Sequence, residues 1–233
     1  MEKTSEKEYF STLTRISKAI TSDLYLEDIL KLIVNLTASV MGAKICALWL
    51  LDGYKQELTI RATQAMSQEY LKERAIRFGE GIVGLVAKDK EPVVIPDVSK
   101  DEKYKEKELA KKENLVSMLS VPMLVKDRVI GVLNVYTIEP YEFNKSDVDL
   151  LSAVANQAAV AIENTELMVK TKVIQEELES RKKVEKAKGI LMKEQRLSEE
   201  EAFSLIRKSS MDKRVSMKEI AEAIILSFEI RKK

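Results

Sequence analysis

The chain has 233 residues, 45% hydrophobic and 33% charged, which is enough apolar material for one or two domain cores and enough charge for a well-solvated surface. It contains no histidine and one cysteine, Cys46, which excludes serine-histidine and cysteine-histidine catalysis, ordinary catalytic zinc sites, histidine-ligated haem, phosphotransfer through histidine, an internal disulfide and a four-cysteine metal site. The net charge of +1 conceals an imbalance, since the stretch 168–233 holds 17 Lys+Arg against 12 Asp+Glu, a surplus of +5, leaving −4 on everything before it; such a surplus fits a nucleic-acid-binding module or a lysine-rich solvated surface.

The opening MEKTSEKEYF has no basic start leading into an apolar run. Nor does the chain hold the roughly 20 uninterrupted apolar residues of a membrane span, so a cytoplasmic protein without membrane contact is expected. Leu13, Ile16 and Ile20, then Ile29, Leu32, Ile33, Leu36 and Val40, recur at three- and four-residue spacing and predict two helices over 5–42. Ser22 and Asp23 are the expected cap between them, and Gly42 the end of the second.

The period then changes. KICALWLL (44–51), ELTIRAT (57–63), VVI (93–95), LSVPML (119–124) and VIGVLNVY (129–136) read as strands, with turns at Asp52-Gly53 and at Lys126-Asp127-Arg128. From Ser146 the pattern is helical again, with Ser146-x-x-Asp149 as an approximate capping box and Leu151, Ala155, Ala158 and Ile162 as a stripe suited to a sheet. A second stripe on the same helix, Val160, Asn164, Leu167, Thr171, Ile174 and Leu178, alternates spacings of four and three. That is a short heptad seam, and a parallel homodimer through a connector over 168–180 is expected from it.

The fold class expected is α+β, an antiparallel sheet flanked by helices. RFGEGIVGLVAKDKEPVVIPDVSKD (77–101), LSVPMLVKDRVIGVLNVY (119–136) and FNKSDVDLLSAVANQAAVAIEN (143–164) resemble a GAF domain over nearly all of 22–167. Gly79, Gly81 and Gly84 suit a tight loop with a helix approaching closely. The same Gly-x-Gly-x-x-Gly spacing is a dinucleotide fingerprint only inside a parallel βαβ unit, which the strand pattern does not offer. The resemblance implies a small-molecule ligand in the GAF pocket or a dimerisation role. No cofactor is identifiable and the ligand-binding residues are unknown, although the motif of cyclic-nucleotide-binding GAF domains is missing. Cys46 is expected to be a buried mid-strand thiol, with a redox or attachment role as the alternative.

Beyond the seam, Ser198 with Glu201 and Ser216 with Glu219 are two capping boxes, predicting helices over 199–208 and 217–230 after a long helix ending near Gln195. On a helical wheel turning about 100° per residue, Lys182, Lys186, Gly189 and Lys193 fall together on one side, whereas Val184, Ala187 and Leu191 gather on the opposite side. One face is basic with a glycine at its centre, where solvation of the lysines and close helix packing of the glycine are the plain alternatives to a binding role.

AKGILM (187–192), LSEEEAF (197–203), Ile206-Arg207 and Glu219-Ile220-Ala221 resemble an ANTAR domain over 178–228. The resemblance implies binding of paired RNA stem-loops, transcription antitermination and, indirectly, contact with the transcription machinery. Lys182, Lys186, Lys188, Gly189, Lys193, Arg207, Lys208, Lys213 and Arg214 are the candidate RNA surface. Ala187, Leu191, Phe203, Ile206, Ile220, Ile224 and Phe228 are the candidate core, which leaves no aromatic for base stacking.

The domains expected are an N-terminal helix (1–21), a GAF sensor (22–167), the connector (168–180) and an ANTAR module (181–233). The whole is expected to be a signal-responsive RNA-binding regulator rather than an enzyme. Two alternatives stand beside it. One is a DNA-reading helix-turn-helix, disfavoured by a long SSMDKRVS connection and by acids at Glu219 and Glu222; the other is a GAF-type redox enzyme using Cys46.

Overall fold

The computed structural model describes residues 6–22, 25–64 and 74–231, which fall into two compact units, residues 1–165 and 166–233. Among the described residues no helix is long and apolar enough to cross a membrane.

The N-terminal unit begins with α1 (Glu6–Ile20) and α2 (Leu26–Val40); of the expected apolar positions Ile16, Ile29, Ile33 and Val40 are buried, and Leu13, Ile20, Leu32 and Leu36 are half-buried. Gly42 follows α2 in the left-handed region, at φ 58°. The Ser22 hydroxyl donates to the Ala19 carbonyl at 2.6 Å, so it closes α1 instead of capping α2; Asp23 lies outside the described residues.

Next come β1 (Ile45–Asp52), β2 (Glu57–Thr63), β3 (Ala75–Arg77), α3 (Gly81–Asp89), β4 (Val93–Ile95), α4 (Lys107–Lys112), β5 (Met118–Val125) and β6 (Arg128–Tyr136). They build one sheet in the order β3-β2-β1-β6-β5-β4, every neighbouring pair antiparallel. Five strands stand where the short apolar and alternating runs place them. β3, of the same length as β4, is missed because Ala75-Ile76-Arg77 lacks the branched apolar run of Val93-Val94-Ile95.

The strand period of two sorts the sheet into two faces. Cys46, Leu48, Leu119, Val121, Leu133 and Val135 pack with Ile16, Ile33, Leu151, Ala155, Ala158 and Ile162. On the opposite face Ala47, Trp49, Met118, Val132 and Tyr136 pack with Ile82, Val83, Val86 and Ala87 of α3. The turn into α3 needs its glycines: Gly79 and Gly81 have φ of 82° and 59°, and a Cβ on Gly84 would stand 2.4 Å from the Arg77 carbonyl oxygen. They serve a turn in an antiparallel sheet, so the frame of a dinucleotide site is absent here.

Helix α5 (Lys145–Gln195) is a single element of 51 residues. Its cap is Asn144 with Asp147, two residues before the expected Ser146 and Asp149. The Asn144 carboxamide oxygen accepts from the Ser146 amide at 2.8 Å, and the Asp147 carboxylate accepts from the Asn144 amide at 2.9 Å. Asp147 is favoured because its buried carboxylate also accepts from the hydroxyls of Tyr9 and Tyr141, each at 3.1 Å.

The C-terminal unit contains the last part of α5, then α6 (Glu199–Lys213) and α7 (Met217–Arg231). Both capping boxes form: the Glu201 and Glu219 amides donate to the Ser198 and Ser216 hydroxyls at 3.3 and 3.2 Å, and the serine amides return to the glutamates at 2.8 Å. The core is Val184, Ala187, Leu191, Ala202, Ile206 and Ala221. Two expectations are corrected. The second helix continues past residue 208 to Lys213, and Arg214 caps it at φ 53°, so the connection to α7 is only residues 214–216. Phe203 is 42% exposed and outside the core cluster, and Phe228 is only half-buried. The closely packed alanines at 187, 202 and 221 leave no room there for a ring.

Candidate nucleic-acid interface

The basic face of α5 is formed as the wheel requires, with Lys182, Lys186, Gly189 and Lys193 exposed. A Cβ built on Gly189 meets nothing within 4 Å, so close helix packing does not explain the glycine. Bare backbone here costs helix stability, about 1 kcal/mol relative to alanine, with no compensating contact among the described residues.

The expected cations differ in how free they are. Lys182, Lys193, Arg207, Lys208, Lys213 and Arg214 are exposed and make no ion pair among the described residues. Lys186 pairs with Glu229 of α7 at 2.9 Å, both side chains 58% exposed. An exposed pair of this kind is weak, and a phosphate can displace the carboxylate. Lys183, which the wheel places off the basic face, pairs with Glu222 of α7.

Lys188 is the exception. Its side chain is only 8% exposed, and its ammonium donates to Glu199 at 2.7 Å and to both Glu185 oxygens at 2.9 and 3.0 Å. The same nitrogen stands 6.0 Å from the centroid of the Phe203 ring. This side chain is a clasp between α5 and α6 and is not open surface. The wheel carries the signal, since Lys188 falls away from the other lysines and beside the apolar stripe. Glu185 and Glu199 were invisible as its partners, because their convergence depends on the turn between the helices.

These contacts set a pH dependence. Glu199 is held below the ordinary carboxylate range by the hydrogen bond from Lys188, and Glu201 and Glu219 by the amides of Ser198 and Ser216. Lys188 is raised by its bonds to Glu199 and then Glu185. Lowered carboxyls stabilise the fold above their unfolded value of about 4.3, and that contribution is lost as pH falls through the folded values. The raised lysine contributes fully below about 10.4, and its share is lost as pH rises through its folded value. The melting temperature of the C-terminal unit, followed by circular dichroism on the full chain, should be level from about pH 5 to 9 and fall on either side. Glu201→Gln with Glu219→Gln should flatten the acid limb; an unchanged acid limb would refute the assignment.

In the N-terminal unit, Arg74, Ile76, Gly81, Ile82, Tyr104 and Glu106 line a cavity of about 320 Å³ beside α3. Arg74 forms an ion pair with Glu106 and lies 5.6 Å from the Trp49 ring centroid. Burial raises the Glu106 carboxyl, an effect opposed by the Arg74 charge. Trp49 Nε1 and Asn134 Nδ2 are buried donors without a hydrogen-bond partner among the described residues, on the same side of the sheet. Cys46 faces the other side, fully buried, and burial pushes its thiol pKa up, which opposes the thiolate that redox chemistry requires.

Against known proteins, a GAF domain matches residues 25–162 and an ANTAR domain residues 172–225. The phosphoenolpyruvate-dependent phosphotransferase system protein of Salmonella typhimurium is 26% identical over 155 residues, 66% of this chain and 21% of that protein. The transcriptional regulatory protein PdtaR of Mycobacterium tuberculosis is 33% identical over 90 residues, 39% of this chain and 42% of that one. The chain thus spans about a fifth of the length of the first and under half of the second. The GAF domain structure from a phosphoenolpyruvate-protein phosphotransferase of Coxiella burnetii superposes with a TM-score of 0.65 at 23% identity, covering 71% of this chain and 99% of that one, a likeness of fold.

Proposed function

The chain belongs to the GAF domain family and carries an ANTAR domain in its C-terminal part, and on that premise we propose that it is a signal-responsive, RNA-binding regulator of transcription antitermination. The observation that carries this reading is Gly189, a helix-interior glycine with open space around it between exposed Lys182 and Lys193. Lysine and arginine attach to phosphates, and the bare backbone lets a loop nucleotide come close. Lys182, Lys193, Arg207, Lys208, Lys213 and Arg214 are the primary cations, and Lys186 joins them by exchanging Glu229 for phosphate. Lys188 supports the surface from beneath.

The GAF cavity is the proposed sensing site, for a small molecule with hydrogen-bond acceptors. The two modules act as a pair of copies. Val160, Leu167, Ile174 and Leu178 of the heptad seam are all at least 42% exposed, an apolar stripe that a parallel partner helix would cover. The divisions at 22–167, 168–180 and 181–233 are the proposed sensor, connector and RNA module, in a cytoplasmic protein that regulates and does not catalyse. Ligand-dependent change in the association or register of the connector would alter the paired RNA surface.

A labelled RNA with two adjacent small-loop hairpins, titrated across a salt series against duplex DNA of equal charge, tests the reading. Lys182→Ala with Lys193→Ala should weaken RNA binding about ten-fold and reduce the slope of log K against log salt by about 1.5. Gly189→Ala should also weaken binding while raising the melting temperature. Equal binding of RNA and DNA would reduce the face to a general polyanion surface. One observation favours the second reading, a DNA-reading helix-turn-helix: the short connection at 214–216. Against it, the exposed positions of α7 ahead of its terminal Arg231 are Glu219, Ala223, Leu226, Ser227, Glu229 and Ile230, none a cation for base edges.

A further inference from the structure

Phe203 is the one residue of the expected C-terminal core that is turned out to solvent, at 42% exposure, although buried Ala202 and Ile206 flank it on α6. Its ring is not loose. Lys188, held by Glu185 and Glu199, places its ammonium 6.0 Å from the ring centroid, a cation-π contact from a side chain that is itself enclosed. Arg207 on the same helix completes the arrangement, while Gly189 belongs to the basic face of α5. Gly189 follows Lys188 on α5 and opens to space, and exposed Arg207 stands one turn beyond Phe203 on α6 without an ion partner among the described residues. A half-exposed ring fixed by a buried cation, with a free guanidinium one turn along the same helix, has the components of a base-stacking platform: a π-face, a rigid mount and a phosphate contact within one turn.

We infer that Phe203 stacks on an unpaired base of the RNA loop, with Lys188 as the residue that positions the ring. The inference rests on the RNA-binding reading above and adds the chemistry of specificity to it. Stems are held by charge, and the loop is recognised by stacking. The cationic setting favours a nucleic-acid loop, because Lys182, Lys193, Arg207 and Lys208 attract a phosphate backbone and oppose a cationic partner.

The test uses the full chain with two RNAs that share their stems. One carries nucleotide loops with 2-aminopurine at each loop position in turn; in the other, a flexible non-nucleotide linker closes the stems. Phe203→Leu should lose about ten-fold in affinity for the looped RNA and nothing for the linker-closed one. Phe203→Trp should keep the affinity, and the wild type should quench 2-aminopurine at one loop position where Phe203→Leu does not. Circular dichroism establishes that each variant is folded. Wild-type affinity of Phe203→Leu for the looped RNA would overturn the inference while the effect of Lys182→Ala with Lys193→Ala left the RNA reading standing. An equal loss on both RNAs would also overturn it, by making Phe203 a structural support. Failure of the wild type to bind either RNA would overturn the RNA reading, and this inference with it.

Discussion

Gly131→Ala should destabilise the N-terminal unit by about 3 kcal/mol or more, enough to lower its urea midpoint sharply or prevent folding. Gly131 lies in β6 opposite Leu50 of β1, at the centre of the sheet. A Cβ there would stand 1.9 Å from the Trp49 carbonyl oxygen and 3.0 Å from the carbonyl carbon, both backbone atoms of a hydrogen-bonded strand. Neither can turn aside as a side chain could, so β1 and β6 must separate. Gly53→Ala is the matched control, since a Cβ at Gly53 meets nothing within 4 Å, and its cost should stay within about 0.5 kcal/mol. Near-equal midpoints for the two variants would mean that the strand crossing yields easily.

Ile206→Ala should melt the C-terminal unit while leaving the N-terminal one folded. Ile206 is fully buried in a cluster of only six buried residues, three of them alanines, so few neighbours can close the cavity. The expected loss is about 2–5 kcal/mol, a large share of what a unit this small can hold. A thermal melt should resolve an early transition, and RNA binding should disappear with it although no cation has been removed. A single unshifted transition would show that the cluster does not carry the unit's stability.

The contrast between these two positions indicates what the sequence discloses. Short apolar runs rich in branched residues mark β1, β4, β5 and β6, and alternation marks β2, because strand character is written locally in residue order; the two Ser-x-x-Glu boxes locate α6 and α7 because caps are local. Gly131 carried no such message, since its role depends on how closely a non-local strand approaches. Asn144-x-x-Asp147 is as local as Ser146-x-x-Asp149, and what sets it apart is that Tyr141 and the distant Tyr9 also donate to the Asp147 carboxylate. At the candidate interface the wheel found Lys182, Gly189 and Lys193. It could not show that Lys188 is enclosed by Glu199 from the next helix, nor that Phe203 leaves the core, because both follow from the packing of α6 on α5. The end of α6 was misjudged because SSMDK has polar residues typical of a loop, yet it continues the helix to Lys213.

The clasp at Lys188 also bears on how the RNA surface would be controlled. Residues 166–233 contain no histidine, cysteine or tyrosine, so they hold no side-chain class that ordinarily titrates between the carboxylates and the lysines. The clasp and the capping carboxylates widen that silent interval, pushing the acid limb down and the alkaline limb up. The electrostatic part of the proposed RNA contact is therefore expected to respond to ionic strength and to stay level with pH across the neutral range. On that reading, acidification within the neutral range leaves the charge of this surface as it was, whereas added potassium salt weakens the proposed contact.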